Sequence, residues 1–208
     1  MGAGGHGKVV LDHLLRSGEF DVVGILDLKE RLGDKVFGVQ VIGSDRDLAK
    51  FYKKGVKYCF VTMGSVGDPG LRVHLYDLAR KAGFLFPNLI HSLAWVSRQA
   101  KLGNGNYVAP GAVINAGAQI GDNCIINTSA VIEHDCKLGD SVHISPGVIL
   151  SGGVSIGDHS HVGTGSIIIQ NVKVGKNTIL GAGSVVTKNI SSNVIAYGNP
   201  CKERKKNA

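Results

Sequence analysis

His134 is the residue with the clearest capacity for chemistry, because carboxylates flank it on both sides, Glu133 and Asp135. An imidazole accepts a proton near neutral pH, and an adjacent carboxylate can fix its tautomer and orientation, so this grouping is typical of a general base. Consecutive side chains of a flat strand point to opposite faces, and Asp135 can therefore reach His134 only if the chain bends there. An ordinary exposed histidine in a polar corner is the alternative interpretation.

A second pattern with chemical meaning occupies the start of the chain. Gly2, Gly4 and Gly7 match the spacing G-x-G-x-x-G, and Asp27 follows Gly7 by 20 residues. In dinucleotide-binding folds these glycines let the backbone approach a phosphate at a helix N-terminus, and the acid contacts a ribose. Such a motif normally follows a hydrophobic strand, yet only Met1 precedes Gly2 here. We therefore expect that the native chain starts upstream, which an intact mass would test.

The element that must position His134 is a repeat of six residues. Counting in sixes from Ile90 gives seventeen aliphatic residues with no insertion or loss: Ile90, Val96, Leu102, Val108, Ile114, Ile120, Ile126, Ile132, Leu138, Ile144, Leu150, Ile156, Val162, Ile168, Val174, Leu180 and Val186. A small or β-branched residue usually follows each of them by four places.

Neither a helix nor a flat strand has a period of six, but a short strand followed by a bend does. Each aliphatic residue then points into a common interior, and Gly, Asn and Asp supply the corner dihedrals, as in Asp122-Asn123. Stacked turns of this kind form a parallel β-helix. His134 lies two places after the inward Ile132, so its ring should face outward near a corner.

The residues before the repeat alternate in the manner of an α/β fold, with Gly83 ending the last helix. We predict strands at 21–27, 36–42 and 57–63, and helices after Gly7, from Ser44 and from Pro69. The predicted domains are therefore a Rossmann-like domain over residues 1–85 and a β-helix over residues 86–208.

Composition narrows the classes of function. The formal charge of +7 over 208 residues suits an anionic small molecule, whereas no aromatic platform or recognition motif for nucleic acid accompanies it. No apolar run approaches the ~20 residues that span a bilayer, and no signal peptide is visible. We expect a soluble, cytoplasmic protein that binds neither nucleic acid nor membrane.

A metal site is not expected. The four cysteines do not have zinc-site spacing, and Cys124 and Cys136 occupy small-residue positions of the repeat, which predicts core packing. His159 and His161 are two residues apart, so their rings should lie on the same side of a strand. His134 and His143 are nine residues apart, which places them on different sides of the solenoid.

Nearly the whole chain resembles the hexapeptide-repeat acetyltransferases that modify sialic acids or nucleotide-linked amino sugars for bacterial surface glycans. The resemblance rests on the G-A-G-G-H-G start, the strand that ends in Asp27, the uninterrupted hexads, the I-E-H-D segment and the closing Gly198-Asn199-Pro200. It implies an α/β N-terminal Rossmann-like domain followed by a C-terminal left-handed parallel β-helix. It also implies a homotrimer whose active site lies between neighbouring subunits, with acetyl-CoA as co-substrate and no metal.

The resemblance assigns roles residue by residue. His134 matches the general base and Asp135 its orienting acid, with Glu133 as the alternative acid and Asn127 as a supporting residue. Acetyl-CoA would lie against His143, Gly152, Thr164 and Ala182, and the Gly152 N–H would bond the thioester oxygen. The nucleotide sugar would lie against Gly4, Gly5, His6, Asp27, Gly64 and Ser65. Leu28 and Lys29 replace the polar residue that often follows the strand-end acid, which leaves the base preference open.

The favoured interpretation is N-acetylation of a nucleotide-linked amino sugar by direct transfer. O-acetylation of sialic acid or a related nonulosonate would use the same architecture. A nicotinamide-dependent oxidoreductase would explain the glycine motif but not the hexads. A catalytically silent binding module is the remaining alternative.

Overall fold

The computed structural model describes residues 1–207, and the chain divides into two compact units. The α/β unit contains Met1–Ser65 and Gly70–Pro87, and the β-helix unit contains Val66–Pro69 and the chain from Asn88 onward. None of the helices in this described part is long and apolar enough to cross a bilayer.

The α/β unit combines three helices with a small sheet. Its helices are α1 (Gly5–Ser17), α2 (Leu48–Lys53) and α3 (Gly70–Lys81), with 3₁₀ turns at Lys29–Arg31 and Asp45–Asp47. Its strands are β1 (Ile25–Leu26), β2 (Lys35–Val36) and β3 (Val39–Gly43). Strand β3 is central, because it pairs in parallel with β1 and antiparallel with β2. Phe37 and Gly38 both have positive φ angles, which fits the tight turn between β2 and β3.

Two strands of this unit are less extensive than predicted. The predicted strand at 21–27 is reduced to β1, and the segment 57–63 contains only an isolated parallel bridge between Tyr58 and Leu85. The segment pairs with Leu85 near its start, through the Cys59 N–H, and with Met1 near its end, through the Thr62 N–H. Each partner bonds to only a short stretch of the segment, so neither edge has a continuous hydrogen-bonded ladder.

The β-helix unit is a three-sided parallel solenoid, which confirms the fold predicted from the hexads. Face 1 contains β4 (Leu89–Ile90), β7 (Tyr107–Val108), β10 (Ile125–Ile126), β13 (His143–Ile144), β16 (His161–Val162) and β19 (Ile179–Leu180), and ends with β21 (Val194–Tyr197) and β22 (Lys202–Lys206). Face 2 contains β5 (Trp95–Val96), β8 (Val113–Ile114), β11 (Val131–Ile132), β14 (Ile149–Leu150), β17 (Ile167–Ile168) and β20 (Val185–Val186). Face 3 contains β6 (Lys101–Leu102), β9 (Gln119–Ile120), β12 (Lys137–Leu138), β15 (Ser155–Ile156) and β18 (Lys173–Val174).

The second residue of almost every short strand packs inside the solenoid. From Val108 to Val186 these aliphatic residues form one buried cluster, which includes Cys124 and Cys136 as expected. Ile90 is the exception, because it belongs to the first turn and is 37% exposed. Burial of this continuous aliphatic column is the main favourable contribution to the stability of the unit.

The corners of the solenoid are made by residues in the left-handed conformation. One such residue recurs every 18 positions at each corner, as at Gly117, Asp135, Gly153 and Asn171 between faces 2 and 3. Only Gly, Asn, Asp and a few other small polar residues adopt this conformation at low cost, which explains the corner composition.

The outward residues distinguish the three faces. On face 1 they are mostly buried: Leu89, Tyr107, Ile125, His143 and His161. On face 2 they form a partly exposed apolar column: Trp95, Val113, Val131, Ile149, Ile167 and Val185. On face 3 they are polar: Lys101, Gln119, Lys137, Ser155 and Lys173. The interior therefore repeats throughout, whereas each face has its own surface chemistry.

Candidate active site

His134 and Asp135 occupy the corner between β11 on face 2 and β12 on face 3. Asp135 has a φ of 60°, and this bend turns its side chain toward the preceding residue, so that Oδ2 lies 2.8 Å from His134 Nδ1. The two side chains are 65% and 72% exposed. The structure therefore pairs an accessible imidazole with a carboxylate at one of its nitrogens.

The backbone of this corner is fixed by the turns above and below it. The Asp135 N–H donates to the Ala116 carbonyl at 3.1 Å, and the Gly153 N–H donates to the His134 carbonyl at 2.9 Å. Gly117 lies one turn before Asp135, and a Cβ atom there would lie 2.5 Å from Asp135 Oδ1. The solenoid thus holds the pair on a rigid base although its side chains face outward.

Glu133, the alternative acid, has a different partner. Its Oε2 accepts a hydrogen bond from Asn115 Nδ2 at 2.9 Å, across one turn of the solenoid. Of the two flanking carboxylates, Asp135 is therefore the one that hydrogen-bonds to His134 in this structure.

Gly152 lies one turn after His134 at the same corner, and the imidazole ring lies over it. A Cβ atom at position 152 would lie 2.6 Å from both Cε1 and Nε2 of His134. Within residues 1–207, the backbone N–H of Gly152 donates to no protein acceptor. The free nitrogen of the imidazole and an available backbone donor are therefore neighbours at the surface.

His143 lies on face 1, and Asn127 directly follows β10 of the same face. Both are therefore on the side of face 2 opposite to the His134 corner. Asn127 Nδ2 is 3.4 Å from His143 Nε2, and the His143 ring packs edge-to-face against His161 with centroids 4.9 Å apart. The expectation that His159 and His161 lie on the same side of one strand is wrong. His159 is a corner residue with a φ of 60°, whereas His161 begins β16.

Thr164 and Ala182 are exposed residues of successive turns at the corner between faces 1 and 2. The Thr164 carbonyl accepts the N–H of Gly183, which links the two turns. The predicted residues of the β-helix unit therefore fall into two groups. His134, Asp135 and Gly152 lie on one edge of face 2, and His143, Thr164 and Ala182 lie on or near the other.

In the α/β unit, Gly4 and Gly5 begin helix α1. Gly4 is the N-cap with no side-chain cap, and the first turn of α1 contains no acidic residue. A Cβ atom at either glycine would meet open space. The exposed helix N-terminus is the kind of position at which backbone N–H groups and the helix dipole favour an anion.

His6 lies in the first turn of α1 beside Gly64, where a Cβ atom would lie 3.3 Å from the His6 Cβ. The Nε2 atom of His6 is enclosed, and this burial, together with the nearby charge of Arg72, lowers the pKa of His6 to about 4. Ser65 is buried, and its Oγ accepts a hydrogen bond from Arg72 Nε at 3.3 Å. His6, Gly64, Ser65 and Arg72 thus form one compact group.

Asp27 joins the end of β1 to the glycine-rich segment. Its Oδ2 accepts from the Ala3 N–H at 2.6 Å and from Arg31 Nη1 at 3.2 Å, and its Oδ1 accepts from the Leu28 N–H at 2.7 Å. Asp27 also lines a cleft of ≈ 490 Å³ in this unit. The other lining residues are Met1, Gly2, Leu26, Leu28, Lys29, Glu30, Ser44, Asp45, Arg46, Met63, Leu71 and Leu75.

Across residues 1–207 there is no group of three or more His, Cys, Asp or Glu side chains placed to hold a metal ion.

Sequence reasoning missed three residues that support these groups. Arg72 is only 1% exposed. The sequence feature that could have predicted its burial is its helical spacing from the apolar Leu75, Tyr76 and Ala79. Asn115 and Gly117 precede their partners Glu133 and Asp135 by one turn of 18 residues. Comparing residues at that interval would have found both.

Comparison with known proteins decides the family. Residues 1–78 match the model of the PglD N-terminal domain, and overlapping stretches from 99 to 188 match the bacterial transferase hexapeptide model. Perosamine N-acetyltransferase from Caulobacter crescentus, a histidine-to-asparagine variant in complex with CoA and GDP-perosamine, is 41% identical. The match covers 99% of this chain and 95% of that one, with a TM-score of 0.92. The chain belongs to the hexapeptide-repeat acetyltransferase family.

Two further proteins are similar to this chain. The acetyltransferase domain of PglB from Neisseria gonorrhoeae, in complex with acetyl coenzyme A, is 37% identical. That match covers 98% of this chain and 96% of the other, with a TM-score of 0.88. An uncharacterised protein of Acanthamoeba polyphaga mimivirus is 35% identical over 106 residues, which are 51% of this chain and only 20% of the viral protein. In this hexapeptide-repeat acetyltransferase the β-helix is left-handed, as the sequence resemblance implied.

Proposed function

We propose that this chain transfers an acetyl group from acetyl-CoA to the amino group of a nucleotide-linked amino sugar. The family supports the donor and the reaction type, and the relative solved with CoA and GDP-perosamine supports the acceptor class. The observation that carries the proposal is the placement of the Asp135-paired His134 ring directly over Gly152. We place the reaction in the cytoplasm, where acetyl-CoA is available.

His134 acts as the general base. With its proton on Nδ1 and donated to Asp135, the imidazole keeps the Nε2 lone pair free to take a proton from the amine. The amine nitrogen then attacks the thioester carbonyl carbon, and a C–N bond forms as the N–H proton moves to Nε2. The carbonyl oxygen becomes an oxyanion, to which the Gly152 N–H donates. Collapse of this intermediate breaks the C–S bond and releases CoA as the thiolate, which takes the proton from His134 Nε2 and so restores the neutral base.

The α/β unit would hold the nucleotide sugar. The open N-terminus of α1 at Gly4 and Gly5 suits the diphosphate, with His6, Gly64 and Ser65 beside it. Asp27 is engaged by backbone N–H groups and by Arg31, so we propose that it shapes the nucleoside cleft together with its lining residues.

We further propose that the enzyme is a homotrimer assembled through face 2. The outward column of this face is apolar and partly exposed, with Trp95 at 64% and Ile149 and Ile167 at 41% each. The two groups of predicted residues lie on its two edges. Packing face 2 of three copies around an axis therefore brings the His134 edge of one copy beside the His143 edge of the next, so that each site would combine two chains.

The function is tested by measuring CoA release with GDP-, UDP- and dTDP-linked amino sugars and with free sialic acid. We expect release with at least one nucleotide-linked amino sugar, and a loss of at least ~10²-fold in turnover for His134→Ala. His74→Ala, which changes an exposed histidine of α3, serves as the control. Unchanged turnover of His134→Ala would refute the base assignment, and release with sialic acid alone would favour O-acetylation.

The assembly is tested by substitutions on two faces. Ile149→Glu places a charge on face 2 and should convert the trimer to monomers in light scattering. Ser155→Glu places the same charge on face 3, between Lys137 and Lys173, and should leave the trimer intact.

The shared site is tested by mixing inactive chains. His134→Ala and His143→Ala each remove one side chain, from opposite edges of the shared site. In trimers refolded from an equal mixture, about one quarter of the interfaces should contain both intact side chains and regain activity. No recovery on mixing would mean that each site belongs to a single chain.

A further inference from the structure

The close approach of His134 to Gly152 is a feature that the fold itself does not require. Gly152 is not in the left-handed conformation, so its backbone accepts any residue. The equivalent corner position on the other turns holds Arg98, Ala116, His134, Gln170 and Lys188. The solenoid therefore tolerates side chains at this position, from a methyl group to a guanidinium.

Any side chain at position 152 would instead meet the neighbour one turn earlier, which is His134. A Cβ atom there would lie 2.6 Å from two atoms of the His134 ring and 3.2 Å from Cδ2, and contacts under 3.0 Å essentially never occur at real Cβ atoms. An alanine would thus force the ring to move. Because the His134 side chain is 65% exposed, the ring can swing outward into solvent without disturbing the core.

We infer that Gly152 is a positioning residue for the general base, and that it acts through the absence of a side chain. The space above its Cα is occupied by the His134 ring, with Nδ1 at Asp135 Oδ2 and with Cε1 and Nε2 next to Gly152. This role is separate from hydrogen bonding by the Gly152 backbone, which an alanine retains. The inference rests on the proposed function, in which His134 is the base.

Gly152→Ala in the full-length enzyme tests the inference. Displacement of a catalytic group by about 1 Å costs on the order of 10²-fold in rate, so we expect kcat to fall on that scale. The free protein should report the cause, because the ¹⁵N shifts of the His134 imidazole give its tautomer. We expect one tautomer, protonated on Nδ1, in the parent protein, and a mixture in Gly152→Ala. The thermal unfolding midpoint should not change.

A second variant separates this role from a block of acetyl-CoA binding. In a His134→Ala background there is no ring to displace, so adding Gly152→Ala should leave the residual rate and the Kd for CoA unchanged. A further fall in either would show that the methyl group obstructs the coenzyme, and would overturn the inference. Gln170→Ala, at the same corner position one turn later, is the matched control and should keep full activity.

The two ways of failing are distinguishable. If His134→Ala keeps full turnover, the proposed function fails. If His134→Ala loses turnover while Gly152→Ala keeps both its turnover and a single His134 tautomer, only the positioning role of Gly152 fails.

Discussion

The two units of this chain place their candidate functional groups in opposite ways. In the β-helix unit, His134 and Asp135 stand exposed on a corner, outside an aliphatic core to which they contribute nothing. In the α/β unit, the corresponding groups are part of the packing: His6 has an enclosed Nε2, and Asp27 holds the glycine-rich segment through the Ala3 N–H. The β-helix separates folding from chemistry, and the α/β unit combines them.

This difference shows where substitutions should affect activity alone and where they should affect stability as well. The corner position of His134 accepts many side chains, because the inward residue two places earlier maintains the fold. A loop whose polar side chains satisfy its own backbone has no such freedom, since losing one partner leaves a buried group unsatisfied.

The largest expected effect is on the free energy of unfolding, and it distinguishes two residues at the end of β11. Ile132→Ala should lower the free energy of unfolding by about 2–5 kcal/mol, because Ile132 is fully buried in the aliphatic column. His134→Ala, two positions later, should change it by less than about 0.5 kcal/mol while lowering turnover. Urea denaturation followed by circular dichroism measures both. A comparable loss of stability in His134→Ala would break the proposed separation.

The next largest effect is a pH dependence of the α/β unit. The pKa of His6 is lowered from 6.5 to about 4 in the folded chain. Between these two pH values, His6 therefore binds a proton in the unfolded chain but not in the folded chain. Stability should therefore be unaffected by His6 above pH 6.5, fall as the pH drops toward 4, and lose at most about 3 kcal/mol. Hydrogen exchange of the α1 peptides at several pH values measures it. In His6→Gln this component should be absent, and an identical pH profile in that variant would contradict the assignment.

Asp135→Asn sharpens the comparison at the corner itself. Asparagine adopts the left-handed conformation and nearly matches aspartate in size, but it does not provide the charge that orients the imidazole. We expect turnover to fall by about 10²-fold with an unchanged unfolding midpoint. Glu133→Gln is the matched control, because its carboxylate contacts Asn115, and it should remain within about tenfold of the parent. Equal losses in the two variants would mean that the His134–Asp135 contact is not what matters.

The smallest effect is expected for Asp27→Asn. Its carboxylate accepts two backbone N–H groups and Arg31, and an amide group cannot accept all three bonds, so the α/β unit should lose about 1–2 kcal/mol. Asp34→Asn removes an exposed contact to the same Arg31 and should cost less than about 0.5 kcal/mol. Hydrogen exchange of the peptides over residues 1–30 distinguishes them. A stability equal to that of Asp34→Asn would show that Asp27 does not hold the segment.

The same contrast explains how well each unit could be predicted. In the β-helix, inward residues such as Ile132 recur at a fixed interval, so the period alone gives the strands, the corners and the outward direction of His134. In the α/β unit, the segment 57–63 has the composition of a strand but divides its pairing between Leu85 and Met1. Pairing partners distant in sequence leave no local signal.

The sequence by itself determined the solenoid and the candidate base, because an unbroken period of six requires a core of inward aliphatic residues and a corner at His134. Only the tertiary structure decided which carboxylate pairs with that base and which glycine makes room for it. Asp135 rather than Glu133 reaches His134 because of one left-handed dihedral, and Gly152 lies beneath the ring because the next turn of the solenoid stacks there. The dihedral belongs to the folded backbone, and the approach of the ring to Gly152 depends on the side-chain conformation of His134; the spacing of residue types specifies neither.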